Sequence, residues 1–420
     1  MGHQVESVSA LEVLDSRGRP TLEVRLALRG GVAAVAGVPS GASTGTREAV
    51  ELRDGDEARF GGQGVLRAAA NVNGEIADRL VGKRFVSLAE LDGALCALDG
   101  TESKSRLGAN AIVGVSMAAA RAMAAADGVE LFEWLRPDGV VARLPVPHFN
   151  VVNGGAHAAN ALDFQEFMLA PLGAPTVVDA VRAGAEIYGA LRARLRELGH
   201  ATGLGDEGGF APEVTTPEEV LELLVDAITG AGYVAGRDGV AIALDPAASE
   251  FFVDGRYRVA GELLSTAEMI ERYAAMVDRF PIWSIEDGLA EGDWAGWVAL
   301  TERLGDRVQL VGDDIFVTNP AIITEAIARR VGNAALIKVN QIGTVTETLE
   351  AMAICRAAGY GLMVSHRSGE TPDAFIADLA VGTGAEQIKS GAPARGERVA
   401  KYNRLLAIAA HEPSMHYGLR

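Results

Sequence analysis

Six ionisable residues in the second half of the chain share one position: each stands at the end of a short apolar run. They are Asp245, Glu286, Asp313, Lys338, His366 and Lys389. Asp245, for example, follows Ala241–Leu244, and Lys338 follows Ala334–Ile337. Short apolar runs of this kind are typical of buried strands. We therefore expect the six groups to stand at strand ends and to face a common site.

Three of these residues are carboxylates that should converge on one point. Asp245, Glu286 and Asp313 lie on successive predicted strands, and their charges repel one another unless a cation is present. Oxygen ligands without a cysteine or a histidine pair favour Mg²⁺ over Zn²⁺. The sequence predicts a magnesium site here. The alternative is that each carboxylate pairs with an arginine of the barrel.

Lys338 is the candidate base. It lies in the stretch Ala335–Thr344, and the following Thr344-x-x-Glu347 has the pattern of a helix capping box. A lysine buried at a strand end loses solvation, which favours its neutral form. Only five of the 38 basic residues are lysines, and arginine cannot give up its proton. The alternative is a structural lysine paired with a carboxylate.

Positive charge should face the metal site. Lys338, Arg367 and Lys389 follow the later strands. A metal ion and several cations at one barrel mouth suit a small anionic substrate that carries phosphate and carboxylate groups.

Two glycine-containing loops are further candidates. Glu207 lies in Gly205–Gly209 and could act as a general acid if it is desolvated, although a solvated turn acid is the plainer interpretation. Ser43 lies in the small-residue loop Pro39–Gly45, which could close over a ligand and offer hydroxyls to a metal or a phosphate. An ordinary surface turn is equally compatible with that loop.

The roles of the histidines stay open at this stage. His157 and His366 could bind phosphate or fill the core, and spacing does not decide between these roles. Gln165-Glu166 lies on a probable strand, and Glu166 is a candidate acid next to the residues that would bind the metal directly.

The elements that must position these residues form two units. Residues 138–420 alternate apolar runs with helical stretches, which predicts an α/β fold with a (β/α) barrel. Residues 1–137 predict an α+β domain that ends at Pro137-Asp138-Gly139. In that domain we expect an antiparallel hairpin over Leu22–Val38 and helices over 59–80 and 110–126.

Composition excludes several classes of protein. The formal net charge of −18 argues against nucleic acid and anionic membranes as partners. Cys96 and Cys355 show no metal-binding spacing and fit a reducing compartment. The N-terminal residues lack a signal-like apolar region, and Arg121 interrupts the alanine-rich segment around it. We expect a cytoplasmic protein.

The chain resembles the enolase (phosphopyruvate hydratase) family from about Leu11 to Leu406. The matching stretches are Asp15–Gly18, Pro39–Gly45, Asn153–His157, Gln165–Met168, Gly205–Gly209, Ser284–Asp287, Gly312–Asp314, Leu336–Thr348, Ser365–Thr371 and Gln387–Lys389. The stretches around Lys338 and Ser365 are long and specific to this family.

The resemblance implies a hydro-lyase that dehydrates 2-phosphoglycerate to phosphoenolpyruvate in glycolysis. It implies a (β/α)8 TIM-like barrel whose first strands depart from strict alternation. It assigns the base to Lys338 and the acid to Glu207. It places two Mg²⁺ ions at the site, one on the three carboxylates and one, bound with substrate, near Ser43. The implied substrate contacts are Gln165, Glu166, His157, His366, Arg367, Ser368 and Lys389.

Some positions depart from the family pattern. Leu11 and Arg19, and near the C-terminus Ala407, Ala409 and Ala410, stand where the family carries other residues, in segments that it uses to pair subunits. We still expect a homo-oligomer, a dimer or larger, with a weakened interface. Two alternatives stay open: a paralogue that dehydrates a phosphonate analogue in specialised metabolism, and a binding protein without catalysis.

Overall fold

The N-terminal part of the chain forms a four-stranded antiparallel sheet in the order β3-β2-β1-β4. The computed structural model describes residues 2–42 and 44–419. The strands are β1 (His3–Leu14), β2 (Pro20–Leu28), β3 (Ala33–Gly37) and β4 (Arg84–Phe85). The predicted hairpin is confirmed, since Val24 pairs with Ala36. Alternate residues of β2 are buried, as its period-two pattern requires. Sequence reasoning missed β1.

In the part of the chain that the structure describes, five helices accompany this sheet. They are α1 (Leu66–Asn71), α2 (Ala77–Leu80), α3 (Leu88–Asp99), α4 (Ala109–Asp127) and α5 (Leu131–Trp134). A π-helical segment, Val72–Ile76, joins α1 to α2, so the predicted helix over 59–80 begins only at Leu66. The predicted helix over 110–126 is α4, whose Gly114 lies so close to β2 that a Cβ would stand 2.5 Å from Val24 Cγ2.

Helix α4 is the one helix of the described residues that is long and apolar enough to cross a membrane, judged by length and composition alone. Within the protein, however, 83% of its most apolar 18-residue stretch is buried. Arg121, which interrupts the alanine-rich run, donates to Asp373 Oδ1 at 2.6 Å. These contacts are those of a core helix.

The remainder of the chain is built on a closed barrel of eight strands, which confirms the predicted fold class. The barrel strands are β5 (Val146–Asn153), β6 (Glu166–Ala170), β7 (Ala241–Asp245), β11 (Ile282–Glu286), β12 (Gln309–Gly312), β13 (Ala334–Ile337), β14 (Gly361–Ser365) and β15 (Gln387–Lys389). A small sheet of β8 (Phe252–Val253), β9 (Arg256–Val259) and β10 (Glu262–Leu264) lies between β7 and β11 in the chain.

Within the described residues, nine further helices complete the barrel part. They are α6 (Val177–Glu197), α7 (Pro217–Gly230), α8 (Thr266–Arg279), α9 (Trp294–Leu304), α10 (Pro320–Arg329), α11 (Val339–Ile342), α12 (Val345–Ala357), α13 (Phe375–Gly382) and α14 (Gly396–His411). Below the strand ends, the barrel interior is packed with side chains such as Met168, Leu336 and Met363, so the site can lie only at the mouth.

Strand β6 runs against both of its neighbours. It pairs antiparallel with β5 and β7, whereas the other neighbouring strands of the barrel are parallel. Its first residue, Glu166, therefore pairs with Asp245, the last residue of β7, and with Asn153, the last residue of β5. The reversal brings the start of β6 to the mouth where the other strands end.

The N-terminal domain caps the helix that follows the Lys338 turn. Thr344 accepts from the backbone N–H of Glu347, as the predicted cap requires. Ser116 Oγ accepts from Val345 N at 3.0 Å, and Asp92 Oδ2 accepts from Thr346 N at 3.0 Å. Side chains of α3 and α4 thus satisfy N–H groups that begin α12 and would otherwise be unpaired.

Candidate active site

Lys389, the last residue of β15, lies among three carboxylates. Its Nζ is 2.7 Å from Glu286 Oε1, 3.1 Å from Asp245 Oδ2 and 3.2 Å from Glu166 Oε2. All four side chains are at most 4% exposed. Burial raises the pKa of both Glu286 and Glu166, and neighbouring carboxylates raise it further. Carboxylates gathered in this way need positive charge close by.

Lys338 stands beside Asp313, the third predicted metal ligand. Its Nζ lies 2.5 Å from Asp313 Oδ2, and Gln341 Nε2 donates to Asp313 Oδ1 at 2.8 Å. Thr318 accepts from Lys338 N at 2.9 Å and donates to Gln341 Oε1 at 2.8 Å. Buried hydrogen bonds therefore hold both the backbone of Lys338 and the carboxylate of Asp313 in place.

The Asp313 carboxylate decides the charge state of Lys338. Burial lowers the pKa of Lys338, but the negative charges of Asp313 and Glu286 together raise that pKa above its usual value. The expectation that burial leaves this lysine neutral is not met while the two groups face each other. The pKa of Asp313 is lowered in return, because Lys338 and Lys389 outweigh the effect of its own burial.

Glu207 is presented by a loop that only glycine permits at several points. Gly208 has φ +86°, and a Cβ on Gly205 or Gly209 would stand 2.6 or 2.8 Å from Asn153 Oδ1. The loop thus lies flat against the end of β5, and Glu207 is buried rather than solvated. Burial contradicts the plainer interpretation of this residue as a solvated turn acid.

The partners of Glu207 are an amide and two histidines. Asn150 donates to Glu207 Oε2 at 3.0 Å, and His366 Nε2 lies 3.2 Å from the same oxygen. His157 Nε2 lies 3.8 Å from Oε1. If both imidazoles were charged, they would lower the pKa of Glu207 well below its usual range against the effect of burial. Burial, however, lowers the pKa of His366 to about 3, so this ring is neutral at pH 7. With His366 neutral, burial favours the protonated form of Glu207, against the charge of the nearby Arg398, which lowers its pKa.

Most of the predicted residues line one small buried cavity. Its lining comprises His157, Gln165, Glu166, Glu207, Asp245, Lys338, His366, Arg367, Ser368 and Lys389. Glu286 and Asp313 lie behind that lining as partners of the two lysines. His157 Nε2 is 2.9 Å from Ser368 Oγ, which links the loop after β5 to the loop after β14. Ser43 lies outside the described residues.

Arg367 connects this cavity to a second cleft of about 350 Å³. It donates to Glu48 Oε2 at 2.9 Å and to Glu48 Oε1 at 3.1 Å, a bidentate pair. A Cβ on Gly41 would stand 2.1 Å from Arg367 Nη2, so the predicted loop lies directly against this arginine. The cleft is lined by that loop and by Arg17, Arg19 and Arg53.

In the described part of the chain, two groups of three side chains could hold a metal ion, because their ligand atoms lie within 4.8 Å of one another. They are His157 with Glu166 and Glu207, and Asp287 with Asp313 and Asp314. The predicted triad of Asp245, Glu286 and Asp313 is not one of them, because Lys389 stands between the first two and Lys338 holds the third. Asp287 is already engaged, since its oxygens accept from the backbone N–H groups of Asp313 and Asp314.

Sequence reasoning missed several residues of the site. They are Asn150, Gln341, Thr318, Glu48 and Arg398. Gln341 lies only three residues beyond Lys338, and that closeness is a signal that could have found it. Arg398 lies in helix α14 and carries no local pattern that separates it from a surface arginine.

The chain is similar to known proteins along nearly its whole length. Residues 5–135 match the family model for the enolase N-terminal domain, and residues 141–415 match the model for the enolase C-terminal TIM barrel domain. The chain is also 56% identical over 407 residues to a protein from Rubrobacter xylanophilus named Enolase. That alignment covers 96% of this chain and 94% of the relative.

Proposed function

This chain belongs to the enolase family, and from that membership we propose how its own residues carry out the family's reaction. The protein is a hydro-lyase that dehydrates 2-phosphoglycerate to phosphoenolpyruvate. The observation that carries the residue assignments is the convergence of Lys338, Glu207 and Asp245 on one buried cavity. A phosphonate-metabolising paralogue is not favoured by identity of this extent.

Lys338 takes the proton from the carbon next to the substrate carboxylate. The end of β13 presents its Nζ to the cavity, and the bond from Lys338 N to Thr318 holds the backbone there. The lysine must be neutral to act as a base, so its partner Asp313 must be engaged elsewhere when substrate is bound. The electron pair of the broken C–H bond then moves into the carboxylate, which becomes enolised.

Glu207 delivers a proton to the departing 3-hydroxyl, which leaves as water. Its burial and the neutral state of His366 favour the protonated carboxyl that this step requires. Asn150 and His366 both approach Oε2, and they can stabilise the carboxylate that remains after proton transfer. Release of the substrate proton from Lys338 to water and reprotonation of Glu207 from water restore the starting state.

The acidic strand ends fit a divalent cation, which the family implies. Asp245, Glu286 and Asp313 would hold it, and Glu286 Oε2 is buried with no hydrogen-bond partner within the described part of the chain. The two lysines occupy positions beside these carboxylates that a cation would share. When bound, the cation supplies the positive charge that stabilises the enolised carboxylate. We assign this cation as Mg²⁺ because its ligands are oxygens. We also assign a second Mg²⁺, which the family implies, bound together with substrate near Ser43.

The remaining cavity residues hold the substrate. Arg367 and Ser368 supply donors for its phosphate, and Lys389 supplies charge for its carboxylate. His157, Gln165, Glu166 and His366 complete the wall and exclude water from the reacting carbons.

We also assign a domain division at residues 137 and 138, a cytoplasmic location and a homo-oligomer, a dimer or larger. The two family matches, to residues 5–135 and 141–415, support the division. Cys96 and Cys355 are free thiols, in keeping with a reducing compartment. The exposed Leu11 and Leu14 of β1 support pairing through this strand.

One assay tests the proposed function. The purified protein is supplied with 2-phosphoglycerate and Mg²⁺, and phosphoenolpyruvate is followed by its ultraviolet absorbance. We expect turnover that a chelator abolishes and added Mg²⁺ restores. Turnover of a phosphonate analogue with none of 2-phosphoglycerate would instead establish the paralogue.

A further inference from the structure

Arg398 is a fully buried arginine that joins both loops of the site. It lies in the first turn of α14, and its guanidinium donates to His366 Nδ1 at 2.6 Å and to Arg367 O at 2.6 Å. It also donates to Ser368 O at 2.5 Å and to Asp206 O at 3.2 Å. These acceptors are neutral, and they belong to the loops that carry His366 and Glu207.

The contact with His366 determines where that ring carries its proton. A guanidinium has only N–H donors and keeps its charge in proteins. The ring atom that faces it must therefore be an acceptor, so Nδ1 carries no proton. If the ring were flipped, a carbon atom would face the guanidinium, and no hydrogen bond could form there. The proton of a neutral imidazole must then be on Nε2.

The Nε2 side of the His366 ring faces the proposed acid. Nε2 lies 3.2 Å from Glu207 Oε2, although the two atoms are not aligned as a hydrogen bond. In this tautomer Nε2 already carries a proton and cannot accept the carboxyl proton of Glu207. The surroundings of His366 also favour the neutral ring. Burial, Arg398 and Lys389 oppose protonation of the ring, and they outweigh Glu207, which favours it.

We propose that Arg398 is a positioning residue that holds His366 as the neutral Nε2–H tautomer, so that His366 presents an N–H group to Glu207 and never competes for its proton. This inference rests on the proposed function of Glu207 as the acid. Without Arg398, Nδ1 is free to carry the ring proton, and Nε2 can then accept the carboxyl proton of Glu207. The proton moves from the acid to the ring, and the carboxylate that remains cannot protonate the leaving hydroxide.

The first test uses the unaltered protein. Ring ¹⁵N resonances are recorded with ¹⁵N-histidine, and His366 is assigned by its loss in His366→Gln. We expect Nε2 protonated and Nδ1 unprotonated over about pH 5 to 8, the range in which an unperturbed histidine titrates. A protonated Nδ1, or titration of His366 within that range, would overturn the proposal. Neither result depends on turnover, so a failure of the proposed function would appear separately, as absence of phosphoenolpyruvate formation.

The second test compares Arg398→Met with Arg398→Lys, and uses Arg404→Met as the matched control. Arg404 lies on the same helix but pairs with Asp378, outside the site. In Arg398→Met we expect the dehydration rate to fall by up to the ~10²–10⁴-fold that the loss of a general acid costs, at every pH at which the pair of His366 and Glu207 holds one proton. Exchange of the substrate α-hydrogen with D₂O should persist, since Lys338 is untouched. Arg398→Lys should restore part of the dehydration rate.

A merely structural role would give a different result. Equal loss of exchange and dehydration at every pH in Arg398→Met would contradict the positioning role. An unchanged rate of dehydration in that variant would contradict it as well. If Arg398→Met does not fold, the ring ¹⁵N measurement on the unaltered protein still decides the tautomer.

Discussion

Replacing Lys338 by alanine should remove both dehydration and exchange of the substrate α-hydrogen with D₂O. The neighbouring cation, Lys389, is held by three carboxylates, and the pKa of His157 is lowered chiefly by burial while its Nε2 lies against Ser368. Neither group is placed to replace the base. Losing a positioned base costs ~10²–10⁴-fold in rate. At 1.36 kcal/mol per decade, that loss is about 2.7–5.4 kcal/mol of transition-state stabilisation.

Two matched variants separate loss of the base from loss of charge. Lys338→Arg keeps a cation beside Asp313 but cannot give up a proton, so it should lose exchange as completely as Lys338→Ala. Lys83→Ala changes an exposed lysine and should retain full turnover. Exchange is measured by mass spectrometry of substrate recovered from D₂O, and turnover by phosphoenolpyruvate formation.

Glu207→Gln should separate the two halves of the reaction. It removes the acid but leaves Lys338 and the metal carboxylates in place, so dehydration should fall by ~10²–10⁴-fold while exchange continues. Exchange that survives in Lys338→Ala and disappears in Glu207→Gln would mean that the acid and base assignments are reversed. Loss of exchange in both variants would mean that the two groups act as one unit, and the stepwise reasoning would fail.

Three further outcomes are expected. Asp313→Ala should lose tight Mg²⁺ binding by calorimetry, whereas the exposed control Asp306→Ala should keep it; unchanged affinity in Asp313→Ala would remove that residue from the metal site. Burial raises the pKa of Asp92 from 3.8 to about 6, so its contribution to stability is fully present below about pH 4 and is lost as pH rises through 6. The free energy of unfolding in urea, measured for Asp92→Asn relative to the unaltered protein, should therefore rise by up to roughly 3 kcal/mol between pH 4 and pH 7.5. The same difference in unfolding free energy at both pH values would refute the raised pKa of Asp92. Ala407, Ala409 and Ala410 should weaken subunit pairing, and sedimentation that shows a dimer resistant to dilution and to high salt would rule out a weak, charge-dependent interface.

The sequence by itself determined the barrel and most of its chemistry. Each apolar run is long enough for one strand and ends in an ionisable residue, and the carboxyl ends of parallel strands meet at one mouth. Asp245, Glu286, Lys338 and Lys389 could therefore be assigned to one site from spacing alone. The hairpin was equally accessible because its burial follows a local period, and helix α4 because its apolar run is nearly continuous.

Only the tertiary structure decided which of these groups face one another. The direction of β6 has no local signature, yet its reversal brings Glu166 to Asp245 and Lys389. Arg398 reaches His366 across 32 positions of the chain, and Asn150 reaches Glu207 across 57. Such contacts depend on how whole elements pack, whereas a sequence pattern reports only the solvent exposure of each element. Burial of Lys338 was foreseeable for the same reason, but its charge state was not, since the pKa is determined by the carboxylate that packing places beside it.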